Sequence, residues 1–473
     1  MSSPQSNYRL HCNDWYLENV ESGPHQTLAL LNYQVSLENV NVTKATPAHQ
    51  SNDLSFANIW QELKWRGLVH VSTDEDALEK TLAGDPITYY CGFDPTAPSL
   101  HLGNLVQILV LRRLQLAGHK PLGLVGGSTG LIGDPRQTGE RTLNPTEVVE
   151  EWVGRLRSQI ERFLSFEGEN AARMVNNLDW TANISALEFL RNIGKYFRVG
   201  TMIKKETVAK RLASDEGISY TEFSYQVLQG YDYLELYRNY DCVLQTGGSD
   251  QWGNLTTGTD LIRRVEGKHV HAFGTPLITN ADGSKFGKSE GNAIWLDGDM
   301  CSPYTFYQFW LNTADADVIS RLKVFTFRTR EEIEALEKEV AERPFARAAQ
   351  RQLAWDVTAM VHGEETTQKV IDASAALFGQ GELAEIDLTT LESATAELEV
   401  AVLDESATII EAFVASGLVA SNSEARRTIR DGGAYINNQK ISDGEQHMSD
   451  HYLHDRLAIL RRGKRNLAAA ARK

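Results

Sequence analysis

Two kinds of apolar segment alternate between residues 87 and 134, and this alternation constrains the fold more than any other feature of the chain. The short strand-like segments "ITYYCGF" and "KPLGLVGG" flank the long helix-like segment "LGNLVQILVLRRLQLAG", and "DCVLQTGGSD" repeats the strand type later. Strands that alternate with helices in this way are typical of a parallel α/β sheet. Because ligands bind at the carboxyl ends of such strands, the polar residues that follow them are candidate site residues.

The rest of the chain divides into segments of different composition. Residues 1–53 are rich in Asn, Ser, Gln and His without sustained periodicity, so we expect a poorly ordered N-terminal extension. Residues 54–300 carry the α/β pattern, and the pattern of residues 301–380 predicts helices. Acidic residues accumulate without any Lys or Arg in residues 381–405, which predicts an acidic linker before a compact C-terminal segment, residues 406–473.

Charge and cysteine content limit the partners and the compartment. The net charge of −16 argues against a general polyanion binder, but the segment from Glu405 onward carries 11 Lys and Arg against 8 Asp and Glu. The four cysteines are far apart without a C-x-x-C pair, so we expect neither a disulfide framework nor a zinc site. No apolar segment is long enough to span a membrane and no secretory signal is recognisable, so we expect a cytoplasmic protein.

The stretch "YYCGFDPTAPSLHLGN", residues 89–104, joins a strand to a helix and carries a mixture of polar groups. Two prolines end the strand, and Gly103 in the first turn of the helix lets a ligand approach the backbone. His101 and Asn104 share one face at the positive end of the helix, where a phosphate binds well. The alternative is a plain strand-to-helix loop with a capping histidine.

The stretch "KFGKS", residues 285–289, lies in a loop with several glycines. Its two lysines, Lys285 and Lys288, and the Ser289 hydroxyl suit a mobile clamp that closes on a triphosphate. Such a clamp neutralises the charge that develops as pyrophosphate leaves. The alternative is a solvated basic turn.

A third group of polar residues lies in "TEFSYQVLQGYDYLELY". Tyr225, Gln229 and Asp232 stand at positions i, i+4 and i+7, so a helix would project all three from one face. Facing a core, these polar side chains would be costly unless they bind a ligand or one another. The spacing therefore predicts a ligand-binding helix.

The H-x-G-x motif at a strand end and the K-x-x-K-S loop about 180 residues later resemble the two signature motifs of class I aminoacyl-tRNA synthetases. With "GGSTGLIGDP", "NNLDW" and "GGSDQWGN", the chain is similar to bacterial-type tyrosyl-tRNA synthetases from about residue 54 to its C-terminus. The resemblance implies a Rossmann-like parallel-sheet catalytic domain with an inserted segment, a helical domain and a small C-terminal α/β RNA-binding module.

The resemblance also implies an activity. L-tyrosine and ATP would form tyrosyl-adenylate and pyrophosphate, and the tyrosine would then be transferred to the 3′ end of tRNA(Tyr). No residue of the set is an obvious nucleophile for a covalent intermediate, so positioning and electrostatic stabilisation would carry the reaction. Mg²⁺ would be bound through the phosphates, and the chain would form a homodimer.

The same resemblance implies roles for individual residues. Tyr90 and Asp232 would hydrogen-bond the phenolic hydroxyl of the substrate tyrosine. The other tyrosine-binding residues would be Asp134, Tyr225, Gln229 and Gln251, with Asn177 and Trp180 of "NNLDW" nearby unless they serve only packing. The ATP-binding residues would be Cys91, Gly92, Asp94, Gly103, Asp250 and Lys288. The residues acting on the phosphates during the reaction would be Thr96, His101, Asn104, Lys285, Lys288 and Ser289.

The chain departs from the family's signature motifs in two places. The second histidine of the first motif is Asn104 here, which can donate a hydrogen bond but cannot carry a positive charge. The lysine loop reads K-F-G-K-S. After Asp134, both Arg136 and Arg141 are candidates for a phosphate contact, and the sequence does not decide between them.

The segment "SGLVASNSEARRTIRDGGAYINNQKI" resembles the S-four-type RNA-binding domain of a small-subunit ribosomal protein. It predicts a helix from Ser423 to Arg430, then a glycine turn and a short strand. Basic side chains at a helix edge suit RNA phosphates, so the expected RNA-binding residues are Arg426, Arg427, Arg430, Arg461, Arg462 and Lys464. The alternative is a small α/β module with a solvated basic helix.

Two other functions fit part of these features. A small-molecule adenylyltransferase also activates ATP with a histidine turn, but the basic C-terminal segment and the lysine loop argue against it. A synthetase-derived RNA-binding protein without catalysis would show an eroded pocket, whereas the pocket residues are all present. Tyrosine activation is therefore the expected function.

Overall fold

The computed structural model describes residues 50–136, 139–284, 286–289, 292–377, 379–396, 398–463 and 466–473. Most of the predicted extension, Lys285 and Lys464 lie outside the described residues, as do the side chains of Lys288 and Ser289. Within the described ranges, no helix is long and apolar enough to cross a membrane.

The first half of the described chain is built on one six-stranded sheet. Its strands are β1 (Val71–Ser72), β2 (Thr88–Phe93), β3 (Lys120–Val125), β4 (Arg173–Asn176), β5 (Cys242–Gly248) and β6 (His271–Thr275). Their order is β1-β6-β5-β2-β3-β4, and all pairs are parallel except β1 with β6 at the edge. The predicted parallel α/β sheet is therefore confirmed.

Helices cover both faces of this sheet. They are α1 (Ile59–Trp65), α2 (Glu75–Leu82), α3 (Leu102–Leu116), α4 (Thr129–Ile132), α5 (Thr146–Glu161), α6 (Leu178–Thr181), α7 (Ala186–Glu188), α8 (Val199–Met202), α9 (Glu206–Leu212), α10 (Tyr220–Tyr240) and α11 (Trp252–Glu266). Tyr89 and Cys91 of β2 face the core that contains α3, whereas Tyr90 faces the core that contains α10 and α11. This alternation follows from the two-residue period of a strand, and it directs Tyr90 toward the predicted binding helix.

A second, helical segment follows a two-stranded hairpin. The hairpin consists of β7 (Lys288–Ser289) and β8 (Asn292–Ala293), and the helices are α12 (Pro303–Leu311), α13 (Asp315–Phe325), α14 (Arg330–Glu342), α15 (Ala348–His362) and α16 (Glu364–Leu377). Trp310 and Phe325 of this segment are buried in the same core as the leucines of α3. The helical segment and the sheet therefore share one apolar core rather than meeting at a polar interface.

The segment predicted as an acidic linker, residues 381–405, is folded in the structure. It contains α17 (Leu388–Thr395) and β9 (Val400–Leu403). Leu383 and Leu391 are buried against the end of α16 and the C-terminal sheet. The linker prediction is wrong because the acidic side chains point outward and obscure the apolar positions between them; Glu382 and Glu385, for example, are exposed.

The C-terminal part is a five-stranded sheet covered on both faces. Its other elements are α18 (Ile409–Ala415), α19 (Asn422–Arg430), β10 (Ala434–Ile436), β11 (Gln439–Lys440), β12 (Leu457–Arg462) and β13 (Asn466–Arg472). The strand order is β11-β10-β12-β13-β9, with β9 parallel to β13 and the other pairs antiparallel. Helices α18 and α19 cover one face, while α16 and α17 cover the other.

A buried ionic cluster joins α1 and α3 to the helical segment. The Glu62 carboxylate lies 2.8 Å from Arg66 and 3.4 Å from Arg113, and all three side chains are at most 1% exposed. Arg66 donates to the Arg328 carbonyl at 2.8 Å, and Arg113 donates to the Thr326 carbonyl. Burial lowers the pKa of both guanidinium groups, so Glu62 is the carboxylate that balances their charge.

Residues 50–53, which the prediction assigns to the extension, are bound to the folded body. The Asp53 carboxylate accepts a hydrogen bond of 2.7 Å from the Arg330 N–H, and Asn52 donates to the Arg113 carbonyl at 2.8 Å. The predicted boundary at residue 53 is therefore too late. The sequence pattern missed these residues because polar side chains, not apolar ones, attach them.

Candidate active site

A cavity of about 760 Å³ opens at the carboxyl ends of β2 and β5, beside the first turn of α3. It lies where a parallel sheet is expected to bind its ligands. Its lining residues range from Tyr90 to Phe286, so residues 196 positions apart in the chain meet there. The predicted tyrosine-, ATP- and phosphate-contacting residues that line it are Tyr90, Cys91, Gly92, Asp94, Thr96, His101, Gly103, Asn104, Asp134, Tyr225, Gln229, Asp232, Asp250 and Gln251.

One end of the cavity combines a buried carboxylate with an unpartnered phenol. Asp232 accepts hydrogen bonds from Asn177 Nδ2 at 3.0 Å and from Trp180 Nε1 at 2.9 Å. The buried Tyr90 hydroxyl has no hydrogen-bond partner among the residues that the structure describes. Burial raises the pKa of Tyr90 well above its ordinary value, and the nearby Asp232 charge raises it further. A buried hydroxyl left without a partner is costly, so this end of the cavity suits a polar ligand group.

Asp134 forms a second polar position in the cavity. Its carboxylate accepts from Gln251 Nε2 at 3.1 Å and from Asn254 Nδ2 at 3.2 Å. Burial raises the pKa of Asp134 to about 6, and the charge of Asp94 adds to that shift. Asn254 is absent from the sequence-based prediction, although it stands one helical turn after Gln251 in α11. A carboxylate held in this way can accept hydrogen bonds from a ligand ammonium group.

Asp94, the residue directly after β2, forms a hydrogen bond with α10, the predicted ligand-binding helix. Its carboxylate accepts hydrogen bonds from the Thr129 hydroxyl at 2.6 Å and from the Tyr225 hydroxyl at 2.7 Å, and burial raises its pKa. A Cβ atom at Gly126 would stand 2.1 Å from the Asp94 carboxylate, so only glycine fits there. Thr129 is a site residue that sequence reasoning missed, because a lone threonine after a strand carries no specific signal.

The first turn of α3 closes another side of the cavity. His101 is the N-cap of the helix, and its Nδ1 accepts from the Gly103 N–H at 3.0 Å. The Asn104 carboxamide oxygen accepts from the His101 N–H at 3.0 Å, which completes a capping box. The capping role is thus present, while both side chains also line the cavity. Burial lowers the pKa of His101, so the imidazole is neutral near pH 7.

The segment that leaves the lysine loop is attached to this same turn. The Leu102 N–H donates to the Ile294 carbonyl at 3.2 Å, and the Leu296 N–H donates to the Leu100 carbonyl at 2.8 Å. Phe286, within the loop, packs against aromatic rings of α12 and α13. Because the Ile294 N–H also donates to the Gly287 carbonyl at 3.0 Å, the backbone at Gly287 lies close to the helix start that carries His101.

A buried ion pair supports the loop that follows Asp134. Arg211 of α9 lies 2.9 Å from Glu222 of α10, and it donates to the carbonyls of Arg136 and Gly139 at 3.3 and 2.7 Å. Glu222 in turn accepts from the Arg141 N–H at 3.1 Å. Of the two arginines that the sequence left open, Arg141 lines the cavity, whereas Arg136 is not among its lining residues.

The predicted RNA-binding residues fall into two groups. Arg426, Arg427 and Arg430 are exposed on α19, where Arg426 lies 3.2 Å from Glu445 and Arg430 lies 3.7 Å from Asp431. Arg461 and Arg462 are half-buried, and their side chains contact other residues of the C-terminal module. Arg461 stacks on the Tyr435 ring at 4.2 Å, and Arg462 lies 2.8 Å from Glu424.

Family models cover most of the described chain. Residues 82–379 match the model described as tRNA synthetases class I (W and Y). Residues 390–469 match the model described as the tyrosine–tRNA ligase SYY-like C-terminal domain. The second match begins at α17 and includes β9, in agreement with the folded state of that segment.

Individual proteins give the same result. The chain is 66% identical over 420 residues to the tyrosine–tRNA ligase of Leifsonia xyli subsp. xyli, covering 89% of this chain and 95% of that relative. It is 64% identical over 416 residues to the tyrosine–tRNA ligase of Streptomyces avermitilis, covering 88% and 99%. The crystal structure of a C-terminally truncated mitochondrial tyrosyl-tRNA synthetase of Aspergillus nidulans matches with a TM-score of 0.61 at 30% identity, over 67% of this chain and 92% of that one. The chain therefore belongs to the class I tRNA synthetases of the W and Y family and, within it, to the tyrosine–tRNA ligases.

Proposed function

We propose that this chain activates L-tyrosine with ATP to tyrosyl-adenylate and pyrophosphate, and then transfers the tyrosine to the 3′ end of tRNA(Tyr). The observation that carries the proposal is the unpartnered Tyr90 hydroxyl near the buried Asp232 carboxylate, in one cavity with the start of α3. A phenolic hydroxyl placed between these two groups donates to Asp232 and accepts from Tyr90. Phenylalanine would leave both groups unpaired, which disfavours its binding.

The amino-acid end of tyrosine extends from this position toward Asp134. Its ammonium group donates to Asp134 and to the oxygens of Tyr225 and Gln229; the Gln229 Oε1 atom is buried and unpartnered within the described chain. Gln251 contacts the carboxylate, which attacks the α-phosphate in line with the leaving pyrophosphate. Because no covalent intermediate is needed, the protein contributes positioning and charge stabilisation.

ATP occupies the part of the cavity nearest α3. Cys91, Gly92, Asp94, Gly103 and Asp250 surround the nucleoside, while Thr96, His101 and Asn104 act with Lys285, Lys288 and Ser289 on the phosphates. Mg²⁺ would be held mainly by the ATP phosphates, because this ion usually binds through substrate phosphates and few protein ligands. When bound, it supplies positive charge to the phosphates.

The test of this function is tyrosine-dependent exchange between ATP and pyrophosphate. We expect exchange with tyrosine and little with phenylalanine, because only tyrosine pairs with Tyr90 and Asp232. A reaction without amino acid is the control. If tyrosine gave no exchange above that of the reaction without amino acid, tyrosine activation would be contradicted; no exchange in any reaction would favour a non-catalytic RNA-binding protein.

The C-terminal module is proposed to bind tRNA through the exposed arginines of α19, with Arg461, Arg462 and Lys464 contributing nearby. The support is its match to a tyrosine–tRNA ligase C-terminal domain and its net positive charge beside an acidic body. Binding would weaken as the salt concentration rises, because each phosphate contact releases counterions.

The proposed function divides the chain into a catalytic part, a helical part and this C-terminal module. The protein would act in the cytoplasm, where tRNA is charged for translation.

A homodimer is part of the same proposal. Between β4 and the first turn of α10, large apolar side chains are exposed, namely Leu187, Leu190, Val199, Ile203, Leu212 and Tyr220. Exposed apolar side chains concentrated in one segment are typical of an interaction surface. We expect sedimentation equilibrium to give about twice the chain mass of 52.8 kDa, whereas a monomer mass at micromolar concentration would contradict this surface.

A further inference from the structure

We infer that Ser99 and Gln159 are positioning residues for tyrosyl-adenylate formation: together they hold the turn that carries His101 against the segment that leaves the lysine loop. The inference rests on the proposed function. Neither residue lines the large cavity, and neither belongs to the H-x-G-x or the K-x-x-K-S motif. Their effect must therefore act through the two segments that they join, namely the turn that carries His101 and the segment that leaves the lysine loop.

The Ser99 hydroxyl is the centre of the connection. It accepts hydrogen bonds from Gln159 Nε2 and from the Asp297 N–H, both at 3.2 Å, and it donates to the Leu100 carbonyl at 2.8 Å. Gln159 Oε1 accepts from the Leu100 N–H at 2.9 Å. The Gln159 side chain and the Ser99 hydroxyl thus hydrogen-bond the backbone of Leu100. The same hydroxyl also accepts from the backbone of Asp297.

The position of this connection gives it a role in the reaction. Ser99 lies two residues before His101, and Asp297 lies just after the two backbone hydrogen bonds that join residues 294 and 296 to residues 102 and 100. Without the Ser99 hydroxyl, the Asp297 N–H loses its acceptor at the end of this short ladder. The ladder would then shift or fray, and the distance between His101 and the lysine loop would no longer be fixed.

Both side chains of the connection are buried, and Gln159 also lines a second cavity. Ser99 is 4% exposed and Gln159 is 7% exposed. A second cavity of about 410 Å³, lined by Gln159, Asp297, Arg162 and His362 among others, shares no lining residue with the large cavity. Water in that cavity can solvate groups that a substitution leaves unpaired. We therefore expect the chain to fold without this connection, but with the turn that carries His101 displaced.

The experiment compares Ser99→Ala and Gln159→Met with the parent in tyrosine-dependent exchange. We expect kcat to fall about tenfold in each variant and the KM for ATP to rise, because misplaced phosphate contacts weaken the transition state. The KM for tyrosine should change less than about twofold, because the Tyr90 and Asp232 end of the cavity is not connected to Ser99. Ser158→Ala, an exposed neighbour on α5 that lines the same second cavity, is the matched control and should leave all three constants unchanged.

A double-mutant cycle with Lys288→Ala separates positioning from general damage. If Ser99 acts by holding the lysine loop, the double variant should be less impaired than the product of the two single effects. Multiplicative effects, or a lowered Tm with unchanged kcat and KM values, would overturn the inference. Gln159→Met tests the same connection from α5, so the inference remains testable if Ser99→Ala folds poorly. No exchange in the parent would instead refute the proposed function.

Discussion

Asp232→Asn is expected to lower kcat/KM for tyrosine by about 100- to 1,000-fold in ATP–pyrophosphate exchange. In the proposed function, the parent carboxylate accepts a hydrogen bond from the substrate phenol, and this carboxylate is only 3% exposed in the structure. Removing one partner of a buried, charged hydrogen bond costs about 2–5 kcal/mol, and a tenfold change in rate corresponds to ~1.4 kcal/mol. The measurement is initial exchange rate against tyrosine concentration, with phenylalanine as the competing substrate.

The pH dependence of the same constant provides a second measurement. Burial raises the pKa of Asp232 to about 7, so the fraction that is ionised, and able to accept from the phenol, increases as pH rises through that value. In the parent, kcat/KM for tyrosine should therefore increase from about pH 6 to about pH 8 and then level off. Asp232→Asn should lack this increase and keep only the inflection of Asp134, whose pKa is raised to about 6.

Folding stability distinguishes a binding role from a structural one. Because the pKa of Asp232 is raised by burial, its ionised form opposes folding above the unfolded pKa near 3.8, and the asparagine variant loses no favourable charge. Its free energy of unfolding should stay within about 1 kcal/mol of the parent, the size of one net hydrogen bond. Glu235→Gln, on the same helix and paired with Arg238, is the control and should retain activity. Equal losses of activity in both variants would remove Asp232 from the pocket.

Glu62→Gln is expected to lower the free energy of unfolding by about 3–5 kcal/mol, because it leaves Arg66 and Arg113 buried without a carboxylate. Burial already lowers the pKa of both arginines; Glu62 opposes this shift at both, and Asp53 adds to its effect at Arg66. Urea unfolding followed by tryptophan fluorescence measures the change. The loss should extend to the helical segment, since the same guanidinium groups bind the carbonyls of Thr326 and Arg328.

Glu75→Gln provides the control for this change. Glu75 lies 2.8 Å from Lys64, but both side chains are substantially exposed, so the pair is solvated and its removal should alter stability by less than about 1 kcal/mol. If Glu62→Gln were no more destabilising than Glu75→Gln, the buried cluster would not be what joins the two parts of the chain.

The sheet and the edge that binds ligands could be predicted because their signals are local. Two short apolar segments separated by a long apolar helix suffice to predict β2 and β3 as parallel strands with α3 between them. The spacing of Tyr225, Gln229 and Asp232 suffices to place them on one helix face, and all three line the cavity. In each case the pattern that predicts the structure is contained in a short stretch of consecutive residues.

The contacts that were missed depend on distant residues of ordinary types. Nothing around Thr129 indicates that its hydroxyl meets Asp94, and Asn254 becomes a partner of Asp134 only when α11 is docked. The prediction of a linker at residues 381–405 was wrong for a related reason. The many acidic residues of this segment hide the few apolar residues that are buried, such as Leu383 and Leu391. The sequence predicts Asn104 as a hydrogen-bond donor to a ligand, whereas in the structure its carboxamide oxygen also caps the helix.

The strand order of the C-terminal sheet has a consequence for biosynthesis. Strand β13 follows the other strands of that sheet in the chain, yet it lies inside the sheet between β12 and β9. Among the described residues, β9 has β13 as its one strand neighbour, and Val400 and Val402 of β9 are exposed. On the ribosome, domains fold in the order in which they emerge, so the sheet and helices that surround the cavity can form while β9 still lacks its neighbour. Nascent chains arrested before residue 466 would thus carry a folded pocket while β9 still lacks the strand with which it pairs.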